Sequence, residues 1–371
     1  MTGEKQDQGS GAATGETLEL SAEALRVRVD ELITDAGIRG QRSLVRRILL
    51  AGLGLGSDRT ERLDLKITTA AVEEMRDAFR LFAPYRDVPK VTMFGSARTQ
   101  SRDPLWLGAE AAAAGLAERG WMLVTGAGPG IMEAAATGAG EGRSLGVSIR
   151  LPFEEAPNAI HTDDTHRVSM KYFFTRKLML VKESSGFICL PGGFGTMDET
   201  FELLTLQQTG KSEPVPIVLL DREGGTFWRG FARFVTEELA GSGMISVDDL
   251  DRVLITDSVD AAIAEITGFW RNYRSLRWVG KRLVLRLAAE PSDAELARLN
   301  EDFAGLCEEG GIERTEPLDE ERQDGDALEL PRIVFTPRQR AVGDLYRLIR
   351  ALNELPSAPA VAEPAPSAEN D

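Results

Sequence analysis

One stretch, residues 186–208, most constrains what this chain can fold into. Its sequence, GFICLPGGFGTMDETFELLTLQQ, joins a short apolar run to a glycine-rich turn and then to a segment with helical periodicity. A run such as FICL is typical of a parallel strand that is buried on both faces. Thr196 is predicted to open a helix whose apolar face includes Phe201 and Leu204. The free amides at such a helix start favour a bound phosphate.

From residue 90 onward the sequence alternates between predicted strands and helices. Strands are predicted at residues 91–94, 122–125, 145–149, 187–190, 215–220 and 253–256. Helices are predicted at residues 104–119, 130–142, 169–183, 227–239 and 259–273, besides the one that Thr196 opens. This alternation predicts an α/β fold with a Rossmann-like, doubly wound parallel sheet, which binds ligands beyond the carboxyl ends of its strands.

The segments on either side of this sheet are predicted to form separate parts. Residues 1–15 are polar and predicted to be disordered, and residues 16–89 form an N-terminal helical arm with helices at 21–36, 41–53 and 65–82. The Rossmann-like domain spans residues 90–275. A small C-terminal α+β module of the βαββα type follows at residues 276–355, and residues 356–371 form a disordered tail rich in Pro and Ala.

Two local features of the C-terminal module lead to further expectations. Residues 292–307 are predicted to be a helix that carries Cys307. Residues 316–329 carry seven acidic residues and one Arg, a composition typical of a solvated loop.

Charge and cysteine content restrict the function. The 371-residue chain has a formal net charge of -16, which argues against nucleic acid or an anionic membrane as a partner. Cys189 and Cys307 are the two cysteines, too few for a disulfide framework or a cysteine metal cluster. The sequence has no signal-peptide core and no run of roughly eighteen apolar residues that could span a membrane. A cytoplasmic protein without metal or cofactor is expected.

Three glycine turns follow three predicted strands and are therefore expected to meet at the carboxyl ends of the strands of the sheet. The first contains Gly95 and Ser96, the second is GAGPG at residues 126–130, and the third is PGGFGT at residues 191–196. The second departs from the dinucleotide fingerprint because Ile131 stands where the last glycine would be, and no turn continues into the Gly-Lys-Ser/Thr of a P-loop. Together the turns predict an anion site.

The motifs in and around these turns resemble the LONELY GUY family, whose members are often mislabelled lysine decarboxylases. PGGFGTMDE at residues 191–199 matches P-G-G-x-G-T-x-x-E, TRK at 175–177 supplies the upstream R-K, and TGAGPGIME lies at 125–133. The resemblance covers residues 91–267. It implies a phosphoribohydrolase, which releases the base of a nucleoside 5'-monophosphate and leaves ribose 5-phosphate, and it implies a homo-oligomer built from dimers.

The resemblance also implies roles for individual residues. Arg176 and Glu199 match the catalytic pair. The residues expected to bind substrate and phosphate are Gly95, Ser96, Gly128, Gly130, Lys177, Gly192, Gly193, Gly195 and Thr196. Phe173 and Phe174 stand where cytokinin-activating members carry Met-His, so the base that is released stays open among cytokinins, purines and pyrimidines.

Glu199 also has a purely structural interpretation. Thr196 followed three residues later by Glu199 fits a capping box, in which the carboxylate would accept a hydrogen bond from the Thr196 amide. In that case Asp198 or Glu133 would be the candidate for the catalytic carboxylate.

Two other functions stay open at this stage. A nucleotide-sensing protein of the same fold would keep the pocket without catalysing a reaction, and the added terminal segments are compatible with that alternative. A pyridoxal-phosphate decarboxylase is disfavoured, since no lysine has a context typical of a Schiff base.

Overall fold

The computed structural model describes residues 21–150, 164–338 and 342–360. Its internal contacts divide the chain into two units, Met1–Ala70 and Ala71–Asp371. The first unit is helical, as predicted: it contains α1 (Ala22–Asp35), α2 (Arg42–Ser57) and the first turns of α3 (Arg62–Phe82). The Ser21 side chain caps α1 by accepting a hydrogen bond from the Ala24 amide. Residues 1–15, predicted to be disordered, lie outside the described residues.

The second unit is organised around a seven-stranded sheet in which every neighbouring pair is parallel. Its strands are β1 (Lys90–Phe94), β2 (Met122–Thr125), β3 (Ser144–Ile149), β4 (Arg167–Met170), β5 (Phe187–Cys189), β6 (Ile217–Leu220) and β7 (Val253–Thr256). They lie in the order β4-β3-β2-β1-β5-β6-β7. The order reverses between β1 and β5, which confirms the predicted doubly wound α/β fold and makes that crevice the expected ligand site.

Helices cover both faces of this sheet. They are α4 (Pro104–Glu118), α5 (Ile131–Ala139), α6 (Phe173–Lys182), α7 (Phe194–Gln208), α8 (Phe227–Phe234) and α9 (Val259–Gly268). Alternate residues of β1 enter two separate apolar cores, with Phe94 in one and Val91 and Met93 in the other. Burial on both faces explains why the strands are continuous apolar runs.

The predicted starts of α6 and α7 are wrong. Ser169 and Met170 belong to β4, not to a helix, because this edge strand pairs with β3 and the helix begins only at Phe173. Helix α7 begins at Phe194, with Gly193 as its N-cap, and not at Thr196.

The apolar face expected for α7 is also wrong. Phe201 is exposed and Leu204 is half-buried, whereas the buried face follows Thr196, Glu199 and Leu203. The side chains that face the sheet are therefore partly polar, because this face borders the site.

The C-terminal module contains an antiparallel four-stranded sheet in the order β10-β11-β9-β8. Its elements are β8 (Tyr273–Val279), β9 (Arg282–Leu287), α10 (Asp293–Asp302), β10 (Cys307–Arg314), α11 (Asp319–Asp324), β11 (Arg332–Pro337) and α12 (Val342–Glu354). Cys307 thus starts a strand and does not lie in the predicted helix, which ends at Asp302. In the predicted tail, the described residues include a buried Ala358.

The acidic segment at 316–329 is not simply a solvated loop. It contains α11, where the Glu321 side chain is fully buried. Glu321 Oε1 lies 2.8 Å from Nη2 of Arg286 and 2.8 Å from Nη1 of Arg332. A buried carboxylate is stable only when it is paired and hydrogen-bonded, so these two arginines explain how an acidic residue enters the core.

Candidate active site

A cleft of about 770 Å³ opens at the carboxyl ends of β1 and β5, where the strand order reverses. Its walls are the turn after β1, the turn after β5, the first turns of α7, and side chains from α6 and α8. The cleft therefore lies where a doubly wound sheet positions its ligands.

Most of the sequence-predicted site residues meet in this cleft. Its lining includes Gly95, Ser96, Arg176, Gly192, Gly193, Gly195, Thr196 and Glu199. Gly128, Gly130 and Lys177 are not among the lining residues. The first and third glycine turns thus border the same space, and the second does not.

The start of α7 is suited to hold an anion. No side chain within the described part of the chain caps this helix. The first intrahelical bond runs from the Met197 amide to the Gly193 carbonyl at 3.0 Å, so the preceding amides have no partner within the helix. These amides and the helix dipole favour negative charge at the cleft wall.

The second glycine turn packs against the first. The Ile131 amide at the start of α5 donates to the Ser96 carbonyl at 3.1 Å. Gly130 has φ +69°, and a Cβ there would lie 2.3 Å from that same carbonyl oxygen. Glycine is required at this position both for the backbone conformation and for the close contact. This contact fixes the turn that carries Ser96 into the cleft.

Arg176 is held in a buried position by backbone groups. Its Nε donates to the Val147 carbonyl at 2.9 Å, and its side chain is only 11% exposed. A Cβ at Gly126 would lie 2.1 Å from Nη2 of Arg176, so a larger residue there would force the guanidinium to shift. Gly126 is a site residue that the sequence analysis quoted within a motif but did not select.

Glu199 faces Arg176 from the buried side of α7. Glu199 Oε1 lies 3.4 Å from Nη1 of Arg176, and the glutamate side chain is 7% exposed. Because α7 begins at Phe194, Glu199 lies in the second turn, beyond the position at which a capping box would use it. The position of Glu199 in α7 thus excludes the capping-box role.

The electrostatic environment of this pair is set mainly by burial. Burial raises the pKa of Glu199 to about 7, and the charges of Arg176 and Lys177 oppose that rise. Burial likewise lowers the pKa of Arg176, against the attraction of Glu199. A carboxyl group that titrates near neutrality can exchange protons under physiological conditions, as a general base must.

Lys177 lies beside this pair without lining the cleft. Its Nζ is 2.8 Å from Oδ2 of Asp198 and 2.9 Å from Oε2 of Glu202. These carboxylates raise the Lys177 pKa, although burial opposes the rise. Lys177 influences Glu199 through its positive charge, which lowers the Glu199 pKa.

Sequence reasoning missed several residues that line the cleft. They are Phe94, Ala97, Arg98, Met132, Phe194, Met197 and Phe227. Arg98 could have been found, since it directly follows Gly95, Ser96 and Ala97 in the first turn. Phe94 comes from a strand, and Phe194 and Phe227 come from two different helices, so they share no local pattern.

Other chemistries find little support in the described residues. Cys189 is fully buried in β5, and burial raises its pKa to about 12, which makes it a poor nucleophile. Within residues 21–150, 164–338 and 342–360, no group of three or more His, Cys, Asp and Glu side chains could hold a metal ion. No helix in those ranges is long and apolar enough to cross a membrane.

Comparisons with known proteins converge on one family. A family model described as a possible lysine decarboxylase matches residues 131–266, which include Arg176 and Glu199. A cytokinin riboside 5'-monophosphate phosphoribohydrolase from Mycobacterium marinum is 32% identical over 159 residues, covering 42% of this chain and 81% of that protein. One of the same name from Mycobacterium tuberculosis is 31% identical over 183 residues, covering 47% and 90%.

More distant similarities extend to a plant protein and to solved structures. The cytokinin riboside 5'-monophosphate phosphoribohydrolase LOG of Oryza sativa subsp. japonica is 29% identical over 143 residues, covering 38% of this chain and 57% of that protein. A solved molybdenum cofactor binding protein from Rippkaea orientalis is 23% identical, with a TM-score of 0.34, and covers 47% of this chain and 93% of that one. A TM-score of 0.34 carries no conclusion about a ligand.

Proposed function

Because this chain belongs to the LONELY GUY family, we propose that it hydrolyses the N-glycosidic bond of a nucleoside 5'-monophosphate. The products are the free base and ribose 5-phosphate. The observation that carries the proposal is the buried pair of Glu199 and Arg176 at 3.4 Å, one helical turn beyond an uncapped helix start in the same cleft.

The phosphate of the substrate is assigned to the start of α7 and the turn after β1. The amides at residues 194–196 donate hydrogen bonds to its oxygens, and the helix dipole adds to the attraction. Arg98 and Arg176 are the cationic side chains among the lining residues. Arg98 is exposed and can reach toward a phosphate, whereas Arg176 is held back by the Val147 carbonyl.

The reaction is assigned to Glu199. As the bond between C1' and the base nitrogen breaks, its electron pair leaves with the base and positive charge develops on the sugar. The Glu199 carboxylate stabilises that charge and takes a proton from the water whose oxygen bonds to C1'. The leaving base takes up one proton from solvent and Glu199 returns the water proton to solvent, so atoms and charges balance.

Arg176 is assigned the role of orienting the ribose and the Glu199 carboxylate. Its guanidinium has a fixed position because Nε is bonded to a backbone carbonyl, while Nη1 faces the carboxylate. A planar group held in this way can orient both the carboxylate and a ribose hydroxyl. A protein that only senses nucleotides has no need of a buried carboxyl group whose pKa lies near neutrality.

The test is an assay of the purified chain with a panel of 5'-monophosphates: AMP, GMP, CMP, UMP and a cytokinin riboside 5'-monophosphate. Free base and ribose 5-phosphate are measured by chromatography, with the matching nucleosides as controls. We expect turnover of at least one monophosphate and very little cleavage of its nucleoside, because the nucleoside leaves the anion site empty. Equal cleavage of adenosine and AMP would contradict the phosphate assignment, and tight binding without turnover would favour a sensor.

A further inference from the structure

A second cleft, of about 640 Å³, lies at the amino ends of the strands of the parallel sheet. Lys90, the first residue of β1, lines it, as do Trp121 just before β2 and Ser185 two residues before β5. These residues mark the amino ends of the strands, whereas the candidate active site lies at their carboxyl ends. The two clefts are therefore separate.

This second cleft is strongly cationic in a protein whose net charge is -16. Six cationic side chains line it, against the two acidic side chains of Asp87 and Glu183. The cations are Arg86, Lys90, Arg119, Lys182, Arg271 and Arg274. Concentration of one sign of charge in a concave surface attracts ligands of the opposite sign.

Among the described residues, most of the cationic side chains of this cleft have no ion-pair partner. Lys182 pairs with Glu183 at 2.5 Å, and the described part of the chain offers no ion pair to the other five cations. Arg119 instead donates to the Gly115 carbonyl at 2.7 Å, and Arg274 donates to the Trp270 carbonyl at 2.9 Å. Carbonyl acceptors satisfy hydrogen bonds but do not neutralise a charge.

Lys90 shows this imbalance most clearly, because it is only 3% exposed. Its Nζ donates to the carbonyls of Tyr85 at 2.6 Å and Val88 at 3.0 Å. Burial lowers its pKa, the charge of Glu183 opposes that shift, Lys182 adds to it, and Asp87 opposes it more weakly. A buried ammonium without a paired anion is costly, and an anion bound in the cleft would reduce that cost.

We propose that this cleft binds a small polyanion that carries several phosphate or carboxylate groups. One anionic group is placed near Lys90, and the others meet the exposed side chains of Arg86 and Arg274. A polyanion is favoured over a single phosphate because six cationic side chains line the cleft, more than one phosphate group can pair with.

Two tryptophans give a direct signal for such binding. Trp121 and Trp270 both line the cleft, and the Trp270 indole donates to the Ser185 carbonyl at 2.8 Å. The experiment titrates the full chain with inorganic tripolyphosphate and, in a second arm, with citrate. Binding is followed by tryptophan fluorescence and by calorimetry, first without nucleotide and then with added AMP, which tests whether the probe competes for the candidate active site.

We expect saturable binding that weakens steeply with added salt. The variant with both Arg86→Glu and Arg274→Glu should bind at least about tenfold more weakly, since each substitution replaces an attraction by a repulsion. The matched control carries Arg222→Glu and Lys281→Glu, two exposed positions outside the cleft, and makes the same change in net charge. The control should bind like the unaltered chain.

Three results would overturn the inference: no binding of either probe, equal weakening in both variants, or displacement of the probe by AMP. Binding of tripolyphosphate alone would assign phosphate groups to the ligand, and equal binding of citrate would assign anionic charge of either kind. None of these outcomes depends on whether the chain hydrolyses nucleotides.

Discussion

Glu199 is buried and faces the charged side chain of Arg176. Its catalytic role can be tested by a substitution that changes one heavy atom. In the variant Glu199→Gln the side chain keeps its size but loses the negative charge that a cationic sugar needs. We expect turnover to fall on the order of a hundredfold or more, with little change in nucleotide binding or melting temperature. Asp198→Asn is the matched control, because the neighbouring Asp198 also lines the cleft but is 60% exposed. Near-normal turnover of Glu199→Gln would remove Glu199 from the mechanism.

The raised pKa of Glu199 predicts how activity depends on pH. If the carboxylate is the active form, kcat/KM should fall as the pH drops through about 7, because protonation then removes the charge. Lys177 lowers the Glu199 pKa through its own charge, so Lys177→Met should move this acidic limb to higher pH. The measurement is a pH profile of kcat/KM with Lys211→Met, an exposed lysine outside the cleft, as control. A shift to lower pH would contradict the assignment.

At the scale of elements, the start of helix α6 depends on a buried carboxylate from helix α3. Glu74 is 5% exposed, and it accepts hydrogen bonds from the Lys171 amide and from the Thr175 hydroxyl, each at 2.6 Å. Arg150, just after β3, adds a third contact at 3.3 Å. Since α6 carries Arg176, Glu74 is a positioning residue for the site.

This role predicts the effect of Glu74→Gln. Glutamine replaces a charged acceptor by a neutral one, so the buried hydrogen bonds at this carboxylate weaken and the contact with Arg150 loses its charge, at a cost of about 1–3 kcal/mol in the free energy of unfolding. We expect kcat to fall several-fold while KM changes little, because Arg176 shifts relative to Glu199. Glu73→Gln, on the exposed side of the same helix, is the control. A loss of stability at unchanged kcat would restrict Glu74 to a structural role.

At the scale of the whole molecule, apolar side chains around the candidate active site stay exposed among the residues that the structure describes. Phe194 is 96% exposed at the first position of α7, and Phe173 and Phe174 are 53% and 54% exposed at the start of α6. Large exposed apolar patches mark interaction surfaces. Together with the family resemblance, they support a dimer in which a second copy covers this surface.

The dimer is tested by light scattering on the purified chain. We expect twice the mass of one chain, and a shift toward the monomer with lower activity when Phe174→Ser and Phe194→Ser are combined. Leu107→Ser, which replaces an exposed apolar residue on α4, should leave the mass unchanged. An active monomer of the unaltered chain would refute the expectation.

Local pattern alone predicted six of the seven strands of the parallel sheet, the helices between them, and the turns at their carboxyl ends. Strands buried on both faces must be apolar runs, and turns that approach a ligand need glycine, so both leave a trace in the sequence. The family motif likewise brought Arg176 and Glu199 to attention before any geometry was known. These features depend on residues that are close along the chain.

Only the tertiary structure decided which polar side chains are buried and what each of them contacts. Glu321 lies in an acidic segment, yet Arg286 and Arg332 draw it into the core, and Glu74 meets Thr175, 101 residues away along the chain. Helix α7 begins before Thr196 because Gly193 provides its N-cap. The burial that gives Glu199 a pKa near neutrality depends on the packing of α7 against the sheet and on Arg176. Such contacts follow from the arrangement of distant elements, which no local pattern records.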